Sequence, residues 1–511
     1  MSMSEAAAPN PQDWFIHWAQ EQPDKIAVQD WDTQTSYSYR AVHEAAERIA
    51  HFLYQERGLR FGDRIGMLAP NHRAYALLFA VAQKMGIVLV PINFRLAAAE
   101  VAYILQDAEP KFVFCHANYQ HLLPQDSPME PWEVLDRWAH ELPEVYEQAM
   151  PRPHPQEDDP IFILYTSGTT GRPKGALYTH RMLLWNSINT HLRLDITTSD
   201  VTVNVMPPFH TGGWNVLTTP FWHHGATVVQ MAQFQSAELL KALSQTGSTL
   251  FMAVPTMLRL MADEPDFATT ELPALRYIIA GGESMPIPLI ETWDRKGVPI
   301  RQGYGMTEVG PNLTSLHQND AYRKRGSIGT PNFYIQTRLV DDNDAPVGPG
   351  ERGELLLRGA TVTPGYWRNA EATRKAFTRD GWYRTGDILI RDEEGYLFVV
   401  DRKKNMFISG GENVYPAEVE RVLLQHESVK EAVVVPFAHA TWGEAGCAFI
   451  VARDRAQVDA EALATHCKTR LAKFKVPRTY QWVEELPKND SGKVNRLRLQ
   501  EMAQALPSDD A

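Results

Sequence analysis

The sequence predicts an α/β protein with a large N-terminal domain of α/β subdomains and a small C-terminal α/β domain. First, its 511 residues are too many for one ordinary hydrophobic core, so two or more domains are expected. Second, short apolar runs typical of buried strands recur along the chain, with helical stretches between them. Third, the pattern changes near Arg402, where a strand leads through a basic, glycine-rich turn into a helix.

The candidate strands succeed one another through the first part of the chain, and several end in Pro or Gly, where a strand meets a loop. Strands that alternate with helices favour largely parallel sheets, whose ligands gather beyond the carboxyl ends of the strands. The candidates are "RIGMLAP", "IVLVPI", "KFVFC", "IFILYTS", "VTVNVMP", "TLFMAVP" and "YIIAGGE".

The most apolar region, "YALLFAVAQKMGIVLVPINF", predicts a buried helix followed by a strand. Gln83 and Lys84 interrupt it and Pro91 lies within it, so we do not expect a membrane span. The N-terminus carries Glu5 and lacks a basic start followed by an apolar stretch, so a signal peptide is not expected.

Charge and cysteine content narrow the class of protein further. A formal net charge of −12 argues against a nucleic-acid binder, which normally has a basic face. Cys115, Cys447 and Cys467 are far apart, show no paired metal spacing and are expected to be reduced. These observations predict a cytoplasmic protein without nucleic-acid or integral membrane contacts.

The domain boundary is placed between residues 402 and 403, which gives domains 1–402 and 403–511. Pro416 suits the first turn of the helix that follows, whose apolar residues recur on one face. The later runs "EAVVVPF" and "CAFIVA" supply strands for the small domain.

The stretch "YTSGTTGRPKG", residues 165–175, follows a buried strand and is at once flexible, polar and basic. Backbone N–H groups of a glycine-rich turn bind phosphate oxygens, and hydroxyl groups and a lysine add donors and charge. The spacing of a Walker-type P-loop is absent, because Gly171 is followed by Arg-Pro-Lys-Gly. The stretch therefore predicts an anion-binding loop of another kind, with binding residues Thr166, Ser167, Gly168, Thr169, Thr170 and Lys174.

Seven further motifs follow this loop in order, and together they span nearly the whole chain. They are "PPFHTGG", "GGESMP", "QGYGMTE", "GELLLRG", "GWYRTGD", "DRKKNMFISGGENVYPAEVE" and "PKNDSGK". The set resembles the adenylate-forming (ANL) superfamily, most closely the bacterial fatty acyl-CoA synthetases. The resemblance implies an AMP-forming ligase that uses ATP, Mg²⁺ and coenzyme A. A carboxylate attacks the α-phosphate of ATP to give acyl-AMP and pyrophosphate, and the acyl group then passes to coenzyme A.

The resemblance also implies residue roles around ATP. The phosphate loop holds the β- and γ-phosphates, Thr307 contacts the α-phosphate, Glu308 binds Mg²⁺, and Lys493 contacts both the carboxylate and the α-phosphate. Asp387 and Arg402 match ribose contacts. The segments that match the adenine site contain Gly282, Glu283, Ser284, Gln302, Gly303 and Tyr304.

For the second half-reaction, the resemblance implies that the small domain rotates. Lys404 matches the hinge position, and Gly410 and Gly411 match the tunnel for the pantetheine arm of coenzyme A. Domain closure of this kind gates each chemical step. Asn405 stands where many relatives carry Asp, which is a small departure next to the hinge.

The resemblance also implies an acyl pocket behind "PPFHTGGW" and near "YGMTE", with His210 at its entrance. Trp214 would either shorten a tunnel or stack on a ring. The chain offers no evident partner for an α-amino group, so a medium- to long-chain fatty acid is expected. An aryl-CoA ligase, a standalone adenylation enzyme that loads a carrier protein, a non-catalytic ATP sensor and a homodimeric assembly stay open. The predicted pocket residues are His210, Thr211, Gly212, Trp214, Gly305 and Met306.

Overall fold

The computed structural model describes residues 11–142, 150–151, 154–166, 173–282, 285–409, 412–439, 442–453, 459–489 and 493–506. The chain divides into two compact units. The first comprises Met1–Thr337 and Leu357–Tyr383, and the second comprises Arg338–Leu356 and Arg384–Ala511. The predicted boundary between residues 402 and 403 lies inside the second unit and stays a prediction about the hinge.

The strands carry the sheets of both units. In chain order they are β1 (Ile26–Asp30), β2 (Ser36–Ser38), β3 (Arg64–Leu68), β4 (Val88–Pro91), β5 (Phe112–Cys115), β6 (Met129–Pro131), β7 (Pro160–Thr166), β8 (Lys174–Thr179), β9 (Val201–Asn204), β10 (Thr227–Gln230), β11 (Leu250–Ala253), β12 (Tyr277–Ala280), β13 (Ile300–Met306), β14 (Gly310–Ser315), β15 (Thr330–Pro331), β16 (Ile335–Val340), β17 (Arg352–Gly359), β18 (Tyr383–Arg391), β19 (Leu397–Arg402), β20 (Phe407–Ser409), β21 (Glu412–Val414), β22 (Val429–His439), β23 (Gly443–Ala452) and β24 (Thr479–Trp482).

The helices alternate with these strands through most of the chain. They are α1 (Trp14–Glu21), α2 (Tyr39–Glu56), α3 (Ala74–Met85), α4 (Ala98–Ala108), α5 (Val134–Glu141), α6 (His180–Leu194), α7 (Thr218–His223), α8 (Ser236–Gln245), α9 (Pro255–Ala262), α10 (Ile287–Arg295), α11 (Ala370–Ala376), α12 (Pro416–Leu423), α13 (Ala460–Lys468) and α14 (Arg496–Gln504). Within the described ranges, none of these helices combines the length and apolar character needed to cross a membrane.

Three sheets build the first unit, with strand orders β6-β5-β3-β4-β7-β8, β2-β1-β10-β9 and β11-β12-β13-β14-β15. Each of the seven predicted apolar runs contains a strand, and the pairs within β5-β3-β4-β7, β10-β9 and β11-β12-β13 are parallel, as predicted. Beside the predicted phosphate loop and the predicted adenine site, β7 pairs antiparallel with β8, and β13 pairs antiparallel with β14; β1 with β2 and β14 with β15 are antiparallel as well. Two antiparallel hairpins therefore extend parallel sheets where ligands were expected.

The second unit is built mainly from antiparallel strands, which the sequence did not predict. β16, β17, β18 and β19 form one sheet in that order, and most of its residues lie in this unit. A second sheet has the order β21-β20-β23-β22, with β24 added parallel to β23. Helix α12 begins with Pro416, as predicted, and buries Val419 and Leu423 in the core of this unit.

Lys84, which interrupts the apolar run of α3, is only 5% exposed, and its charge is neutralised inside the first unit. Its ammonium nitrogen lies 2.7 Å from a carboxylate oxygen of Asp13 and 3.1 Å from one of Glu47, and it lies 2.9 Å from Nδ1 of His43. Buried charges are tolerated when they are paired in this way. The Asp13, His43 and Glu47 cluster therefore holds a lysine and needs no metal ion to balance it.

His180, the first residue of α6, is 4% exposed, and its Nε2 has no hydrogen-bond partner among the described residues. Burial lowers the pKa of His180 to about 4. An unfolded chain would bind a proton at this imidazole near its ordinary pKa of about 6.5, so acid favours the unfolded state.

We expect the free energy of unfolding to fall as pH drops from about 6.5 towards 4, because the unfolded histidine gains a proton that the folded one does not. His180→Gln should reduce this loss of unfolding free energy by up to about 3 kcal/mol. The loss is measured as the difference between urea unfolding at pH 7 and at pH 4.5. His121→Gln, at an exposed position, is the matched control. An unchanged difference in unfolding free energy between the two pH values in the His180 variant would contradict this explanation.

Candidate active site

The two ends of the predicted phosphate loop are held by the β7–β8 hairpin. Thr166 is the last residue of β7, and it pairs across the hairpin with Lys174, the first residue of β8. The Thr166 hydroxyl lies 3.5 Å from the backbone oxygen of Lys174. Thr166 and Lys174, the two predicted side-chain phosphate contacts that lie in described ranges, therefore lie next to each other where the loop leaves the hairpin.

Glu308 brings a buried carboxylate to the same place. It lies in a 3₁₀ turn, Thr307–Val309, between β13 and β14, and it is 8% exposed. Its Oε1 lies 3.5 Å from the hydroxyl oxygen of Thr166, and its backbone oxygen accepts a hydrogen bond of 2.7 Å from the N–H of Thr363. The structure thus joins the predicted metal-binding acid to the base of the predicted phosphate loop.

Two tyrosines that sequence reasoning missed complete this cluster. The Tyr366 hydroxyl donates to Glu308 Oε1 at 3.0 Å, and the Tyr383 hydroxyl oxygen lies 3.3 Å from that of Tyr366. Burial, with Glu308 adding to it, raises the pKa of both phenols, so they stay protonated and can donate. The ammonium of Lys174 lies 5.5 Å from the centre of the Tyr366 ring. Tyr366 therefore touches the predicted phosphate lysine with its face and the predicted metal ligand with its hydroxyl.

The segment that carries Tyr366 is fixed to β8 by its backbone. The N–H of Trp367 donates to the oxygen of Gly175 at 2.7 Å, and the N–H of Leu177 donates to the oxygen of Gly365 at 3.1 Å. The sequence offered one signal for this role, the aromatic residues of "PGYW" directly after a Pro-Gly turn, but nothing in their spacing linked them to Glu308.

The described part of the predicted adenine site lies on two adjacent parallel strands. β12 pairs with β13, with Ala280 opposite Gln302, so Gly282 follows the end of β12 next to the Gln302–Tyr304 stretch, which lies within β13. Gly282 has a φ of +86°, which favours glycine. A Cβ on Gly281 would lie 3.2 Å from the backbone oxygen of Gly303. These glycines allow the chain after β12 to pack closely against β13.

The predicted acyl segment follows β9 and is tied to β14. A Cβ on Gly213 would lie 2.4 Å from the backbone oxygen of Pro207, so the turn requires glycine there. The side chain of Asn312 in β14 donates to the backbone oxygen of Val216 at 3.1 Å. Because β14 pairs with β13, the segment of His210, Thr211 and Gly212 is anchored to the strand that carries Gly305 and Met306.

Trp214 is a core residue. It is 2% exposed, its indole N–H donates to the backbone oxygen of Pro208 at 2.6 Å, and its ring centre lies 4.9 Å from that of Phe162. Its position is thus set by the core of the first unit, and its predicted role as a pocket wall stays a prediction. His210 is half-buried, with its ring centre 4.7 Å from that of Phe209.

The second unit holds the remaining predicted residues. Asp387 and Arg402 are paired across β18 and β19, and the Arg402 Nε lies 2.5 Å from the Asp387 carboxylate. Lys404 lies in a 3₁₀ turn, Lys403–Asn405, directly after β19. Burial lowers the pKa of Lys404, and the positive charges of Arg402, Lys493 and Arg496 lower it further, with Asp387 opposing. The positive charge of Lys493, the predicted catalytic lysine, therefore disfavours the protonated form of Lys404, the predicted hinge residue, within this unit.

Some predicted residues lie outside the described ranges. They are Ser167, Gly168, Thr169, Thr170, Glu283, Ser284, Gly410 and Gly411.

Comparison with known proteins identifies the class. The model of the AMP-binding enzyme family matches residues 15–367, and the model of the AMP-binding enzyme C-terminal domain matches residues 418–493. The chain belongs to the AMP-binding enzyme family. This confirms the predicted superfamily, the α/β fold with a large N-terminal and a small C-terminal domain, and the enzyme class, an AMP-forming acyl-CoA synthetase.

Among its relatives, a feruloyl-CoA synthase from Amycolatopsis sp is 36% identical over 484 residues, covering 94% of this chain and 96% of the relative. The long-chain-fatty-acid–CoA ligase FadD13 from Mycobacterium tuberculosis is 36% identical over 481 residues, covering 93% and 94%. The o-succinylbenzoate CoA synthetase MenE from Bacillus subtilis, solved with its acyl-adenylate intermediate, is 30% identical with a TM-score of 0.85, covering 96% and 98%. It has also been solved with ATP and a magnesium ion, at 31% identity and a TM-score of 0.85, covering 95% and 99%.

Proposed function

We propose that the protein activates an apolar carboxylic acid with ATP and transfers it to coenzyme A, with a medium- to long-chain fatty acid as the first candidate. One observation carries the proposal: the buried carboxylate of Glu308 meets Thr166 at the mouth of the phosphate-loop hairpin and is held there by Tyr366. That arrangement suits a nucleoside triphosphate with a divalent cation. In the relative MenE, the solved complexes contain ATP with magnesium and an acyl-adenylate.

The donors at this place fit Mg²⁺, which prefers hard oxygen ligands and keeps several waters. Glu308 offers a carboxylate and Thr166 a hydroxyl oxygen within 3.5 Å of it. When bound, the ion would neutralise charge on the phosphates as the carboxylate approaches. Lys174, at the start of β8, adds a positive charge to this cluster, since its ammonium lies over the ring of Tyr366, whose hydroxyl donates to Glu308.

In the first half-reaction, a carboxylate oxygen attacks the α-phosphorus, a P–O bond forms, and pyrophosphate leaves. We assign Thr307 to the α-phosphate and Lys493 to the carboxylate and α-phosphate, where a positive charge stabilises the transition state electrostatically. Asp387, buried and paired with Arg402, is assigned to the ribose hydroxyls. In the second half-reaction the thiol of coenzyme A attacks the acyl carbon, a C–S bond forms, the C–O bond to the phosphate breaks, and AMP and the thiol proton leave. We assign Lys404 to the hinge that precedes this step, and Gly410 and Gly411 to the thiol path.

Apolar surroundings of the acyl segment support an apolar acid. A Cβ on Gly212 would lie 3.8 Å from the terminal methyl of Met252 and 3.9 Å from that of Met206. Methionine side chains adapt to chains of different shape. A benzoate- or cinnamate-like acid is the second candidate, because the feruloyl-CoA synthase is as similar to this chain as the long-chain fatty-acid ligase. A cytoplasmic location, predicted from the sequence, completes the proposal.

A substrate panel tests it. Pyrophosphate release should depend on the added acid, rise with fatty-chain length to an optimum, and need coenzyme A for multiple turnovers. Optimal release with cinnamate- or benzoate-like acids would instead favour the aryl-CoA ligase. Release that coenzyme A does not stimulate would indicate a protein-bound acceptor, and release independent of any acid would contradict the proposal.

Tyr366→Phe tests the role of the tyrosine at Glu308. The variant keeps the ring beside Lys174 but loses the hydroxyl that orients the carboxylate, so the Mg²⁺ concentration for half-maximal pyrophosphate release should rise roughly 10-fold. Calorimetric titration of ATP should show the same loss with Mg²⁺ present and little change without it. Tyr178→Phe is the matched control, because the buried Tyr178 hydroxyl has no hydrogen-bond partner among the described residues. Equal Mg²⁺ dependence in the Tyr366 variant and the parent would refute the role.

A further inference from the structure

The backbone of Lys493 is fixed at the end of a short hairpin. The N–H of Asn489 donates to the backbone oxygen of Lys493 at 2.7 Å, and the N–H of Lys493 donates to the Asn489 side chain at 3.0 Å. Lys488 and Val494 form an antiparallel bridge beside them. Lys493 itself is exposed, so its long side chain extends from a locally ordered base.

Arg496, three residues further on, joins this hairpin to the interior of the second unit. It is the first residue of α14, and one of its terminal nitrogens lies 2.8 and 2.9 Å from the two carboxylate oxygens of Glu420 in α12. Its other terminal nitrogen donates to the backbone oxygen of Val434 at 2.9 Å, and the N–H of Val434 donates to Glu420 Oε1 at 2.7 Å. The pair is thus closed by the backbone of β22 on both sides.

The two charges hold each other in place because they are poorly solvated. The Glu420 side chain is 13% exposed and the Arg496 side chain 29%. Burial raises the pKa of Glu420, and Arg496 opposes that shift. Removing one member of such a pair leaves the other without its counter-ion, which is far more disruptive than losing an exposed ion pair.

Helix α12 connects this pair to the predicted hinge. The carboxylate of Asp401 accepts hydrogen bonds from the N–H of Arg402 at 2.6 Å and from the Asn405 side chain at 3.0 Å, so it closes the turn that contains Lys404. Its other oxygen accepts from the N–H of Ala417 at 2.8 Å, in the first turn of α12. Glu420 lies one turn further along the same helix. A rigid helix therefore joins the hinge turn at one end and the lysine hairpin at the other.

We propose that Glu420 and Arg496 are positioning residues that fix Lys493 relative to the hinge turn, through α12. This inference rests on the proposed function, because it takes Lys493 as the lysine of adenylation and Lys404 as the hinge. If residues after Lys404 rotate between the half-reactions, the pair makes the hairpin move with α12, so that Lys493 reaches the same position in each cycle. Arg496 suits this task better than lysine would, since its planar fork meets the carboxylate and a carbonyl at once.

Loss of Arg496 should slow adenylation, the first half-reaction, and leave thioester formation unchanged. Misplacing a catalytic group by about 1 Å can cost roughly 10²-fold in rate. Arg496→Ala should therefore lower acid-dependent pyrophosphate release by about that factor. Formation of acyl-CoA from coenzyme A and added acyl-adenylate does not use Lys493 and should stay near the parent rate. Arg496→Lys, which keeps the charge, should lie between the parent and the alanine variant.

A double-mutant cycle with Lys493→Ala supplies the decisive readout. Lys493→Ala alone should lower pyrophosphate release roughly 10²–10³-fold. If Arg496 acts through Lys493, adding Arg496→Ala to the Lys493→Ala variant should change the rate little further. A change of up to about twofold counts as none, because even independent sites scatter by that much. Glu420→Gln, which keeps an acceptor for the N–H of Val434, should behave like Arg496→Lys.

The control is Arg498→Ala on the same helix. Arg498 lies 3.0 Å from Glu501 in an exposed pair, so its loss should leave both half-reactions unchanged. Equal losses of Arg496→Ala in the parent and the Lys493→Ala background, or equal losses in both half-reactions, would overturn the inference. Normal pyrophosphate release in Lys493→Ala would instead overturn the lysine assignment itself, so the two failures are distinguishable.

Discussion

The burial of one carboxylate, that of Glu308, determines which parts of the first unit must pack together at the candidate site. A buried charge must be satisfied by nearby donors, and here they come from separate parts of the chain: Thr166 at the end of β7 and Tyr366 far beyond it. The carboxylate can be held only if the β7–β8 hairpin and the segment around Tyr366 pack together. The backbone bonds of Gly175 and Leu177 to that segment secure this packing.

In the second unit, too, carboxylates hold separate segments of the chain together. Asp401 joins the turn Lys403–Asn405 to α12, and Glu420 joins α12 to Arg496, three residues after Lys493. The Asp401 side chain is buried and that of Glu420 is 13% exposed, and both accept hydrogen bonds from backbone N–H groups as well as from side chains. The unit therefore carries the exposed Lys493 beside a segment held by two ion-paired or hydrogen-bonded carboxylates.

Much of this could be predicted from the sequence. Apolar runs such as "IFILYTS" and "YIIAGGE" located strands because burial on both faces leaves a continuous hydrophobic signal. Ordered motifs identified the family and placed Thr166, Lys174 and Glu308, which the structure brings together. The antiparallel pairing of β7 with β8, the Tyr366 hydroxyl and the pairing of Glu420 with Arg496 could not be predicted. The Tyr366 hydroxyl reaches Glu308 across 58 positions and Arg496 reaches Glu420 across 76, through tertiary packing that leaves no local period in the sequence.

The central claim is that the acid is activated as an acyl-adenylate before transfer to coenzyme A. The most direct measurement supplies a carboxylic acid labelled with ¹⁸O in its carboxylate, together with ATP and coenzyme A, and determines the mass of the nucleotide product. Because the attacking carboxylate oxygen stays on phosphorus when the thiol displaces AMP, the account predicts AMP that carries one labelled oxygen. Label in inorganic phosphate with ADP as the nucleotide product would show activation through an acyl phosphate and would contradict it.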